Sequence, residues 1–142
     1  MTIVYRDALE ADLPAIVQLL ADDPLGAERE DASVPLLPAY LAAFQAIAAL
    51  DHQRLVVAVK GERIMGTMQL LVVPGLSMRG ASHGYIEAVR IVADLRGARG
   101  GGAFRSLGRR TMPGRGLWHG AAGVRRVANG GASFLAEMRV RP

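Results

Sequence analysis

Between residues 86 and 102 the chain reads Ile86-Glu87-Ala88-Val89-Arg90-Ile91-Val92-Ala93-Asp94-Leu95-Arg96-Gly97-Ala98-Arg99-Gly100-Gly101-Gly102. Ile86, Ala88 or Val89, and Ile91-Val92 supply the apolar, largely β-branched content of a buried strand. That strand runs straight into a glycine-rich, arginine-bearing turn. Glycines there let the backbone approach a bound group closely, and the N–H groups that such a turn exposes form an anion cradle. A strand that empties into a cradle of this kind is a recurrent way of holding a pyrophosphate. Two further polar clusters carry chemistry-bearing side chains. His83 ends the loop before the strand and Tyr85 stands near the strand's start, and Glu28, Arg29, Glu30 and Asp31 form a charged run far upstream.

The elements that must position these residues can be read in order. Ile3-Val4-Tyr5-Arg6 alternates as a short strand, and Asp12 is the expected N-cap of a helix with Pro14 in its first turn. Leu13, Ile16, Val17 and Leu20 follow at helical spacing, and Asp22-Asp23-Pro24 ends the helix. Residues 25–38 read as a polar, proline-bearing loop. Residues 39–50 read as a second helix with Tyr40, Ala43, Phe44 and Ile47 on one side. Residues 54–60 and 63–73 are two strands joined at Gly61-Glu62. Pro74-Gly75-Leu76 closes the second strand, residues 77–83 form a loop, and the strand from Gly84 to Val92 comes next.

The chain has 142 residues and 51% hydrophobic content, enough for one domain with a real core. It lacks a run of about 18 apolar residues, so no membrane span is expected, and no basic-then-apolar leader opens it. With no cysteine there are no disulfides and no thiolate metal sites, which suits the cytoplasm. The net charge of +4 is unevenly placed. Residues 1–97 hold 8 of the 17 Lys+Arg and 12 of the 13 Asp+Glu, whereas residues 98–142 hold nine arginines against Glu137 alone. Ten of the 17 glycines also fall in that last stretch. The chain changes character at the loop.

The segments "RDALEADLPAIVQLL", "VVAVKGERIMGTMQL" and "IEAVRIVADLRG", in this order, resemble the GNAT superfamily of acetyl-CoA-dependent N-acetyltransferases. The family's pyrophosphate loop is written Q/R-x-x-G-x-G/A. With Arg96 first, Gly101 fits the last glycine, while Arg99 occupies the middle one. The resemblance covers residues 1–97 and implies an α+β fold: a mixed, mostly antiparallel sheet flanked by helices, here with an atypical C-terminal part, in a single N-acetyltransferase domain over residues 1–142. It implies acetyl-CoA as acetyl donor, a small amine as acceptor, direct attack in a ternary complex, and no metal. The backbone of Val89, Arg90 and Ile91 would pair with the pantetheine arm. Arg96, Gly97, Ala98, Arg99, Gly100 and Gly101 would hold the pyrophosphate, with a charge-assisted contact from Arg96. Glu87 falls where several members place a carboxylate serving as general base; its plain reading is a solvent-facing or ion-paired strand residue. Glu28, Arg29, Glu30 and Asp31 fall where the family recognises its acceptor, and the acidic character suits a cationic amine; the plain reading is a solvated charged loop, and Tyr85 and His83 are reserve site candidates. Members often dimerise. They often use a C-terminal tyrosine as general acid, but no tyrosine lies beyond Tyr85.

Residues 98–142 depart from the family's pattern. Pro113, Gly114 and Gly116 interrupt the expected helix, and beyond Leu117 only residues 133–138 are expected to order. Reverse translation from Ala98, read one base later, permits R-G-V-G directly after Leu95-Arg96-Gly97, which restores R-x-x-G-x-G. It further permits an amphipathic helix, a strand "MVQLASD" and an "HRF-x-x-x-x-GF" ending in the family's order. The competing reading is a basic tail on a non-catalytic scaffold, engaging nucleic acid or an acidic partner; a third is a domain of this shape that binds acyl-CoA without transfer. One extra base near codon 97 or 98 accounts for the tail, and activity of the chain as written is then expected to be impaired. The coding DNA checks this: the displaced frame stays open past codon 142 and spells loop, helix and "GF" ending. Stop codons in that frame would make the basic tail genuine.

Overall fold

The computed structural model describes residues 2–80, 83–96, 123–126 and 134–139. Four strands, β1 (Val4–Asp7), β2 (Gln53–Lys60), β3 (Arg63–Val73) and β4 (His83–Ile91), lie side by side in chain order. Two more, β5 (Gly123–Arg126) and β6 (Phe134–Arg139), continue the sheet in the order β1-β2-β3-β4-β6-β5. Every pairing among the described residues is antiparallel. Helices α1 (Leu13–Ala21), α2 (Pro24–Arg29) and α3 (Pro38–Ala48) occupy the β1–β2 connection, and a single turn, α4 (Ser77–Gly80), precedes β4. This is the α+β arrangement expected, a mostly antiparallel sheet flanked by helices. No helix of the described residues is long and apolar enough to cross a membrane.

The near-continuous apolar run of β2 reflects burial on both faces. Val57 and Val59 pack with Ala8 and Ile16 on the side that carries α1 and α3. Val56 and Ala58 pack with Met65, Met68, Leu70 and Ile86 on the other side. Gly61, at φ 62°, makes the tight β2–β3 turn, a left-handed position that glycine adopts without strain. Helix α1 buries Leu13, Ile16 and Val17 as the spacing predicts, but Leu20 is only half-buried and Leu19, not expected on the stripe, is buried with the Val56–Met68 core.

Three local expectations are corrected. Asp12 makes no cap bond to α1. Residues Glu10–Asp12 already wind as a 3-10 turn, and Asp12 has helical angles where an N-cap needs extended ones. Its carboxylate instead takes Arg6 in a two-point contact at 2.6 and 3.0 Å and the Leu9 N–H at 2.7 Å. The Arg6 hydrogen bond, ahead of the other causes, holds the Asp12 carboxyl below its ordinary pKa.

Residues 25–38 are not wholly loop, because α2 begins at Pro24. Asp23, extended at φ −151° and ψ 162°, caps it by accepting the Gly26 N–H at 2.6 Å. Asp-Pro at N-cap and N1 is a helix-start signal that the charge of the segment obscures. In the C-terminal part, β5 forms a strand where none was expected, while β6 coincides with the stretch expected to order.

Helix α2 packs on α1 through Gly26, which is buried. A Cβ there would run into the Leu20 carbonyl oxygen, with the Ala21 Cα close behind. Gly26→Ala is therefore expected to destabilise the fold by about 1–3 kcal/mol, the usual range for overpacking against backbone. A lower urea midpoint at unchanged slope checks this; wild-type stability would contradict the α1–α2 packing.

Candidate active site

The site is set by the register of β4. Gln69 stands opposite Glu87, and Thr67 stands opposite Arg90. Thr67 and Gln69 are two apart and share a face, so Glu87 and Arg90 share it too. Yet they are three apart, a spacing that in a regular strand puts two residues on opposite faces. The difference is one extra residue, a bulge of Ala88-Val89 opposite Met68, where the β3–β4 register shifts. Ala88 lies at φ +49°, a left-handed position that costs an L residue with a Cβ about 1–2 kcal/mol. Tyr85, opposite Leu71, joins Glu87 and Arg90 on the face that carries α1 and α3. Val89 and Ile91 turn to the other core.

The far edge of β4 carries β6, with His83↔Arg139 and Gly84↔Met138 in register.

Arg90 anchors the bulged segment to the helices. Its Nε lies 3.2 Å from the Asp23 carboxylate, with both side chains largely sheltered, and its Nη1 donates to the Val89 carbonyl at 3.0 Å. Asp23 thus serves two elements, capping α2 and holding β4. The Gly26 N–H is the first cause that keeps its carboxyl below the ordinary value, with Arg90 adding to it against the effect of burial.

After β4, residues Ala93–Leu95 form a 3-10 turn and the Val92 N–H donates to the Met65 carbonyl at 2.9 Å. Arg96 then folds back. Its Nε donates to the Ile91 carbonyl at 3.1 Å, and its Nη2 donates to the Asp22 carbonyl at 3.0 Å and to the Asp22 carboxylate. In this state the guanidinium expected at the pyrophosphate is engaged by the end of α1. Gly97, Ala98, Arg99, Gly100 and Gly101 lie outside the described residues.

The acidic run divides. Glu30 accepts the Tyr40 hydroxyl at 2.7 Å, and that oxygen accepts the Asp31 N–H at 2.9 Å. Burial, then the neighbouring carboxylates, raise the Tyr40 phenol above its ordinary pKa. The Asp31 carboxylate turns onto its own loop, accepting the Ser33 N–H at 2.9 Å. Glu28 is exposed on α2. Tyr40 borders a cleft of about 120 Å³ that Gln69 and Ala88 also line. Glu30 therefore reaches the cleft through Tyr40, and Glu87 adjoins it through its strand neighbour Ala88 and its cross-strand partner Gln69.

Asp23, Tyr40 and Gln69 were not legible as site residues. Tyr40 belongs to a helical stripe that reads as core, and Asp23 and Gln69 meet β4 only through tertiary structure.

No protein-family model matches the chain. No curated protein matches it either. Among solved structures, it is similar to a transcriptional regulator from Bacillus halodurans C-125, at 35% identity and TM-score 0.72, over 77% of this chain and 73% of that one. It is also similar to a "Putative acetyltransferase from Agrobacterium tumefaciens str. C58", at 26% identity and TM-score 0.55, over 75% of this chain and 66% of that one. The fold is GNAT-like, an acetyltransferase-like architecture.

The bulge makes a prediction at Ala88. Glycine removes the left-handed penalty, so Ala88→Gly is expected to leave stability equal or raise it by up to about 1 kcal/mol. Ala88→Val, β-branched at positive φ, is expected to lose at least about 2 kcal/mol. Thermal melts of the two variants check the order, and valine matching glycine would show a regular strand at this position.

Proposed function

The chain belongs to the same family of α+β domains as the Bacillus halodurans protein, and from that premise we propose that it is a GNAT-type N-acetyltransferase. Acetyl-CoA is the donor and a small amine the acceptor. The observation that carries this reading is β4. A strand bulged at Ala88, where the β3–β4 ladder shifts register, turns backbone N–H and C=O groups out of the regular ladder and offers them to an extended amide-bearing ligand, and the pantetheine arm is one. Val89, Arg90 and Ile91 are the residues proposed to pair with it. Arg96, with residues 97–101, is proposed to take the pyrophosphate, and Arg96 would then exchange its contacts with Asp22 for the phosphate oxygens.

Transfer proceeds by direct attack. Glu87, on the helix face beside the cleft, accepts the proton that frees the amine lone pair. The amine nitrogen adds to the thioester carbonyl carbon, backbone N–H donors at the bulge steady the oxyanion, and the C–S bond breaks. The products are the acetamide and the thiolate of CoA, which takes up a proton. Glu28, Glu30, Asp31 and Tyr85 are proposed to receive the cationic acceptor, with Glu30 nearest through Tyr40.

A second reading has its own support. The 35%-identical neighbour is described as a transcriptional regulator, and residues 98–142 hold nine arginines. Binding of duplex DNA that weakens steeply with salt, without acetyl-CoA binding, would favour it.

Glu87→Gln tests the proposed base. With acetyl-CoA and an acceptor amine, its kcat/KM is expected to fall about 100-fold or more, with acetyl-CoA affinity unchanged. Retained activity would remove Glu87 from that role. The same assay on a gene with one base deleted at codon 97–98 is expected to show tighter acetyl-CoA binding than the chain as written.

A further inference from the structure

The cleft between α1, α3 and the centre of the sheet has a lining that selects among amines. Its volume is about 120 Å³, and Ile16, Leu20, Phe44 and Ile47 form apolar walls. Each of its three polar side chains is already bonded within the protein. The Thr67 hydroxyl donates to the Val56 carbonyl at 3.2 Å, Gln69 donates to Gln53 at 3.0 Å, and Tyr40 donates to Glu30 at 2.7 Å. The interior therefore makes no demand for a polar guest. Apolar cavities of about 150 Å³ stay dry and take benzene, so the space fits a group of about six carbons.

Helix α3 supplies a second observation. It has no buried residue, although Tyr40, Ala43, Phe44 and Ile47 lie at helical spacing on the side facing the sheet. Their apolar surface lines the cleft, so the stripe that would normally fill a core leaves a space instead. Two carboxylates stand one residue away from that lining, Glu30 bonded to the Tyr40 hydroxyl and Glu87 paired across the strands with Gln69.

We infer that this cleft holds the hydrocarbon arm of the acceptor, and that the acceptor is a primary amine bearing a compact aryl or alkyl group of about six carbons. A polyamine or a hydroxylated amine would set polar atoms against the apolar walls, at a desolvation cost. The ammonium stays at the mouth, beside the carboxylates. The term acceptor rests on the acetyltransferase reading; the binding does not, because every lining residue lies between Leu13 and Ala88.

The test is binding of an amine series (ethylamine to octylamine, benzylamine, ethanolamine) to the full chain without acetyl-CoA, by ligand-observed NMR. Affinity is expected to rise about fourfold per methylene up to about six carbons, then level off. Ethanolamine is expected to bind no better than ethylamine. Ala43→Phe, at an exposed position on the rim, is expected to flatten the series, and Ile47→Ala, which enlarges the space, to move its plateau to longer chains. Affinity independent of chain length, or a series unchanged in both variants, would overturn the inference. Chain-length-dependent binding without acetyl-CoA binding keeps the amine site and removes the transferase reading. Acetyl-CoA binding without chain-length dependence does the reverse.

Discussion

One additional residue in β4 governs which side chains share a face. The Ala88 bulge changes the parity of the strand, so Glu87 and Arg90 point the same way although three residues separate them. The strand on its N-terminal side places Ile86 in one core, and beyond the bulge Val89 and Ile91 occupy that same core. A regular strand could not satisfy both sets. It would bury a charge or expose an apolar residue, and either costs more than a left-handed alanine. The strain at Ala88 is therefore tolerated because the packing on both sides fixes it.

The same parity joins the sheet to the helices. Arg90 reaches Asp23 only because it faces α1 and α2, and Asp23 is already committed to the Gly26 N–H at the start of α2. Asp22, one residue earlier, engages Arg96 beyond the end of β4. Two adjacent aspartates at the α1–α2 junction thus clamp two arginines that belong to the candidate cofactor segment. Gly26 permits the close approach of α2 to α1 that puts both aspartates there. A helix junction far away in sequence in this way controls the posture of the strand that carries the site.

Much of this was legible in the sequence, for identifiable reasons. The β2–β3 pair was readable because β-branched runs flank a Gly61 turn, and β3 has the same bounds in sequence and structure. Helix α1 announced itself through Leu13, Ile16, Val17 and Leu20. Helix α2 was hidden because six residues give too little periodicity to outweigh their charge. The strand β4 was legible, but its bulge was not. Nothing in Glu87-Ala88-Val89-Arg90 marks an extra residue, since the signal lies in the partner strand and in the two cores. Tyr40 likewise reads as core on its own helix, and its contact with Glu30 depends on how the loop between α2 and α3 folds back.

Amide exchange along β4 tests the central claim most directly. In this chain at millimolar acetyl-CoA, exchange at Val89, Arg90 and Ile91 is predicted to slow, because the donor would pair with the bulged segment of the strand. Strand β2, buried in the middle of the sheet, is predicted to be unaffected. Unchanged exchange at those three amides under saturating donor would contradict the account and leave β4 as a strand with a structural bulge.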